Sequence, residues 1–106
     1  MSGPLDLRLT DTAEADLAEI WAYVASESSE AAANRLIAKI ADAFVRISEF
    51  PLGHPKRLQL GLDLRVAFSS RYAIYYQPKE NEVIVLRVLH EARDIGALAE
   101  RGGFST

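Results

Sequence analysis

Six of the seven residues in Val83-Ile84-Val85-Leu86-Arg87-Val88-Leu89 are apolar, and four of them are β-branched. Such a run fits a strand buried on both faces, so the chain must build a sheet with cover on each side. The run then breaks into His90-Glu91-Ala92-Arg93-Asp94. That break places Arg87, His90, Arg93 and Asp94 along the end and exit of a central strand, a rigid platform for a site. The plainer reading is that Arg87 and His90 reach the sheet rim and that Arg93 pairs with Asp94.

The rest of the chain supplies the sheet's partners. Leu5 to Leu9 alternates apolar and charged residues, as a strand with one wet face does. Asp11-Thr12-Ala13-Glu14 has the spacing of a capping box, with Asp11 as the cap. Ala13, Leu17, Ile20, Trp21 and Val24 then recur as one face of an amphipathic helix from about Thr12 to about Ser26. Ala33, Leu36, Ile37, Ile40, Ala41, Phe44 and Ile47 form a second stripe, which Phe50-Pro51 ends. The short polar break between the stripes predicts an antiparallel helical hairpin. From Leu58 to Phe68 every even position is apolar, which predicts a strand with a bulge or turn at Gly61. Tyr72 to Gln77 reads as an aromatic-rich strand, joined through Pro78 to Glu82 to the central run. The expected fold is α+β. A helical hairpin packs on a small, mostly antiparallel four-stranded sheet, with a short helical segment over residues 95–100. Residues 1–4 and 101–106 read as flexible ends of one domain.

Composition removes several functions. The chain has 106 residues, enough for one core, and no cysteine, so thiolate metal sites and cysteine nucleophiles are excluded. Its two histidines, His54 and His90, have no partners at ligand spacing, and no glycine-rich phosphate loop follows a strand. The carboxylate pairs Asp11/Glu14 and Asp16/Glu19 read as the wet flank of a helix. No metal, cofactor or catalytic group is therefore assigned. No apolar run is long enough to span a membrane, and the expected location is cytoplasmic. A net charge of −3 argues against nucleic-acid binding by bulk charge. Residues 1–50 nevertheless carry four basic against nine acidic residues, and residues 51–106 carry eight against six. A local basic surface in the second half remains open, with Arg65, Arg71, Arg87, His90 and Arg93 as its members. Arginine forks suit carboxylates or phosphates, so RNA, an acidic protein or the chain's own Glu91 and Asp94 could meet them.

Five stretches carry a family resemblance. They are Ala15 to Tyr23, Phe50-Pro-Leu-Gly-His-Pro-Lys-Arg57, Gly61-Leu-Asp-Leu-Arg65, Tyr72-Ala-Ile-Tyr-Tyr76 and Val85 to Asp94. In their order and spacing, over about residues 5 to 98, the chain resembles the ParE branch of the RelE/ParE toxin superfamily. The resemblance implies the toxin of a type II toxin–antitoxin system, silenced by a ParD-like antitoxin from the same operon. The superfamily's ribonuclease branch cuts messenger RNA on the ribosome with lysines and arginines. Here that branch's lysine pair is replaced by Gly61 and Asp63, its arginine after the strand-opening tyrosine by Ala73, and its late tyrosine falls near Ala99. Only Arg93 matches a basic catalytic position. In-line RNA cleavage needs a base, an acid and cations on the phosphate, and one arginine with His90 is a thin set.

The resemblance therefore implies a binding toxin that inhibits DNA gyrase, with the ribosome-dependent ribonuclease as the alternative and lost toxicity as a third reading. Arg65, Arg87, His90, Arg93 and Asp94 are the expected target-binding residues. An antitoxin segment that folds on binding is expected on the exposed side of the hairpin around Trp21, and at a sheet edge with Tyr75 and Arg71. Core packing is the competing role for Trp21, which lies on the apolar stripe. The basic second half predicts an acidic antitoxin segment.

Overall fold

The computed structural model describes residues 5–54, 56 and 63–91. Strand β1 (Asp6–Leu9) runs straight into helix α1 (Asp11–Glu27), and helix α2 (Glu30–Glu49) follows. Strands β2 (Arg65–Ser69), β3 (Tyr72–Pro78) and β4 (Glu82–His90) complete one sheet of order β1-β4-β3-β2. β1 pairs parallel with β4, and the other neighbours are antiparallel. This is the α+β arrangement that the residue patterns predict. Residues 58–62 of the long alternating run, the helical segment at 95–100 and both termini lie outside the described residues.

The start of α1 differs from expectation by one residue. Thr10, not Asp11, is the cap: its hydroxyl accepts from the Ala13 amide at 3.0 Å. The reason is the sheet. The Thr10 amide donates to Val85 O, which extends the β1–β4 pairing and holds Thr10 in extended backbone as the helix begins. Asp11 then enters the first turn, where its charge favours the helix's positive end. Ser29 caps α2 in the same way, through the Ala32 amide. Trp21 is half-buried, and its indole N–H donates to Asn34 Oδ1 at 2.8 Å, tying the two helices together.

Both sheet faces are apolar and buried, as a run without polar alternation requires. Ala67, Ile74, Tyr76, Val83, Val85 and Val88 meet Ala13, Ile20, Ile40, Ala43 and Ile47 of the helices. Leu64, Val66, Ala73, Tyr75, Ile84, Leu86 and Leu89 form a second cluster on the opposite face. Tyr75 is 3% exposed and β3 is an interior strand, so the sheet edge expected at Tyr75 does not exist. Among the described strands β1 and β2 are the outermost, and Lys56 bridges Arg65 of β2.

A bulge in β4 decides what faces the helices. Tyr75 pairs with Arg87 and Tyr76 with Val85, leaving Leu86 as the extra residue. Strict alternation would send Val88 to the face of Ile84 and Leu86. The extra residue returns Val88 to the helix side and leaves Leu89 on the other.

Candidate functional site

Arg87 follows the bulge, opposite Tyr75, and its guanidinium meets α1. Arg87 Nε donates to Asp16 Oδ2 at 2.8 Å and Nη2 to Oδ1 at 2.9 Å, a two-pronged ion pair. The Val88 amide adds a third bond to Oδ2 at 2.9 Å. Beside it, the Thr10 hydroxyl donates to Leu86 O at 3.0 Å. β1 stops pairing at Val85, so side chains of the α1 start take over the polar groups that β4 exposes beyond it. The Asp16 and Arg87 side chains are only 8% and 11% exposed. Hydrogen bonding to Asp16 raises the Arg87 pKa, burial opposes this, and the charges of Asp16 and Glu19 add to the rise. Arg87 is thus permanently charged and held in place.

Asp16 does not lie on the wet flank of α1, as its sequence context suggests, but at a buried position with Ala13 and Ile20. Its signal was available. Asp16 falls three residues after Ala13 and four before Ile20, on the apolar stripe itself, while Arg87 interrupts a buried strand. Opposite charges at two buried positions are expected to meet.

Beside this pair a pocket of about 450 Å³ opens between α1 and the paired ends of β3 and β4. Asp16, Glu19, Ile20 and Tyr23 line it from the helix, and Tyr72, Val88, Leu89 and His90 from the strands. Tyr72 and His90 are cross-strand partners whose rings meet edge to face, 5.4 Å apart at 86°. Burial raises the Tyr72 pKa, and Tyr23 raises it further, which marks the two tyrosines as neighbours. Tyr23 is 64% exposed. Glu19, Tyr23 and Tyr72 fall in two separate stretches of the sequence, and only the packing of α1 over the bulged strand brings them to His90.

Arg65 is engaged elsewhere. Its Nη1 donates to His54 O at 2.9 Å and to Leu52 O at 3.4 Å, and its Nε lies 3.1 Å from Asp63 Oδ1. Tyr76 donates to Pro51 O at 2.8 Å, and its ring meets that of His54 edge to face. Together these bonds fix the loop after α2 to the sheet. Burial pushes the Tyr76 pKa up to about 12, lowered somewhat by Arg65 and raised by Asp63. Arg71, in the β2–β3 turn, is 76% exposed and 3.4 Å from Glu91. Among the described members of the expected target-binding set, Arg65 holds the loop, Arg87 holds α1, and His90 lines the pocket. Arg93 and Asp94 lie outside the described residues. Among the described residues no three potential metal ligands gather, and no helix is long and apolar enough to cross a membrane.

The family model described as the ParE toxin of the type II toxin–antitoxin system parDE matches residues 7–95. The chain belongs to the ParE toxin family. The ParE match takes in the Asp16–Arg87 pair, the whole pocket, and Arg93 and Asp94. Among solved structures, the chromosomal ParDE system of P. aeruginosa superposes with a TM-score of 0.73 at 18% identity, covering 84% of this chain and 98% of that one. The toxin–antitoxin complex RelBE2 of Mycobacterium tuberculosis gives a TM-score of 0.61 at 26% identity, covering 88% of this chain and 98% of that one. No significant match to a curated protein sequence was found. As a ParE-family chain, it is a toxin of a type II toxin–antitoxin system.

Proposed function

We propose that this ParE-family toxin acts in the cytoplasm by binding DNA gyrase and so arresting replication, and that a ParD-like antitoxin silences it. The observation that carries this reading is at Asp63 and Ala73. These stand where the resemblance places cations of the ribonuclease branch. Asp63 lies against Arg65 and offsets its charge, and Ala73 is buried in the second sheet face. A phosphate clamp cannot be assembled from a carboxylate and a methyl group. The antitoxin partner is supported by the two solved relatives, both of them toxin–antitoxin systems. Trp21 and Arg71 remain its proposed contacts. Tyr75 does not, because it is buried.

The test is a gyrase supercoiling and cleavage assay with purified toxin, with and without the antitoxin. Inhibition or trapped cleavage that the antitoxin relieves is the expected result. A second reading, cleavage of ribosome-bound messages, is favoured by the 26% identity to the RelBE2 complex. Intact gyrase activity together with discrete cleavage ends in ribosome-bound RNA would replace the first reading by the second.

A further inference from the structure

The pocket beside the Asp16–Arg87 pair is acidic and aromatic at once. α1 carries five carboxylates, Asp11, Glu14, Asp16, Glu19 and Glu27, and no basic residue. Asp16 is offset by Arg87, whose Nε and Nη2 both donate to its carboxylate. Among the described residues Glu19 makes no ion pair. The described lining, with Arg87 behind it, therefore holds two carboxylates against one guanidinium. Around this negative centre stand three aromatic rings, Tyr23, Tyr72 and His90, with Ile20, Val88 and Leu89 as the apolar wall. A polyanion such as RNA is repelled here. A neutral apolar group would leave Glu19 without a partner. A planar cation satisfies both features, because it bonds a carboxylate and stacks on aromatic faces at once. A volume of about 450 Å³ admits such a side chain with its flanking backbone.

We propose that the pocket of Glu19, Tyr23, Tyr72 and His90 receives an arginine side chain of the antitoxin, with Glu19 bonding the guanidinium and the tyrosines flanking it. The inference rests on the antitoxin reading and is independent of gyrase. Its charge logic complements Arg71, which lies one residue before Tyr72 at the pocket's strand side. A segment crossing both points carries a basic residue for Glu19 and an acidic one for Arg71, and opposite charges in that order fix its register.

The experiment has two readouts on the full chain. In the first, the ¹⁵N-labelled protein is titrated with N-acetyl-arginine amide, and with the citrulline amide as a neutral probe of similar shape. Saturable shifts at Tyr23, Tyr72 and His90 with the arginine probe alone, weakened about fivefold or more by Glu19→Gln, are expected. No saturable shift, or equal shifts with both probes, overturns the guanidinium assignment. In the second, Glu19→Gln and Tyr23→Ala are each expected to weaken the complex with the antitoxin about tenfold, with a smaller effect at high salt. Unchanged affinity in both variants overturns the antitoxin as the source. Both side chains are exposed, so the variants keep the fold, and circular dichroism checks this. Neither readout involves gyrase, so a failed gyrase reading leaves this one standing or falling by itself.

Discussion

At the scale of single residues, the Asp16–Arg87 pair has the largest consequence. Three bonds converge on one buried carboxylate, so removing it takes two bonds from a buried guanidinium and one from the Val88 amide. Asp16→Ala is expected to cost about 3–5 kcal/mol, read as a drop in the urea midpoint. A cost below about 1 kcal/mol would mean that Arg87 finds water or another acid readily. Tyr76 makes a separate prediction. Its folded-state pKa is about 12, while an unfolded tyrosine ionises near about 10. Between those values the unfolded chain has lost the proton and the folded one keeps it, so stability falls as pH rises through this window. Below it the contribution is complete. Tyr76→Phe should flatten that slope and, through the lost bond to Pro51, cost about 1 kcal/mol at neutral pH. Ultraviolet titration of the native protein should show one tyrosine ionising last, near the top of the range.

At the scale of elements, the two-residue turn joining β2 to β3 is strained. Ser70 has φ of 56°, a left-handed conformation that costs a residue with a Cβ about 1–2 kcal/mol. Ser70→Gly is expected to stabilise the fold by roughly 0.5 kcal/mol, since glycine's greater freedom when unfolded offsets part of the relief. Thermal denaturation reads this as a rise of a few degrees, and a fall would show that the serine side chain earns its place through a contact. The turn leads straight into Tyr72, which the β3–β4 pairing holds opposite His90 as one wall of the pocket. Its order therefore bears on partner binding as well as on stability.

At the scale of the molecule, charge is segregated. The acidic α1 lies on one side of the pocket, and Arg71 marks the strand ends on the other. Arg71 is 76% exposed, and its contact with Glu91 is a surface pair worth little. Arg71→Glu should thus leave stability within about 0.5 kcal/mol while weakening the antitoxin complex, more at low salt than at high. Equal affinity for the variant at low salt would remove the acidic-segment part of the proposal. A stability change well beyond about 0.5 kcal/mol would instead place Arg71 in the fold.

Periodicity determined the elements. The stripes of Ala13–Val24 and Ala33–Ile47 and the apolar run from Val83 leave little choice of helix or strand, because burial and backbone geometry impose periods of 3.6 and 2. The family was legible too, in residues that keep their order along the chain. The site was not, for three physical reasons. A bulge adds one residue to a strand that is apolar on both faces, so no pattern in the sequence records which side Val88 takes. The apolar stripe and run mark Asp16 and Arg87 as buried, but they stand 71 residues apart, and the bidentate geometry that commits this arginine to its own core exists only once α1 lies on β4. The pocket's tyrosines, glutamate and histidine come from three elements, α1, β3 and β4, and acquire a common chemistry only when the hairpin settles on the sheet. Local sequence fixes local geometry through short-range sterics and solvation, whereas a site assembled from distant elements exists only once packing has chosen their register.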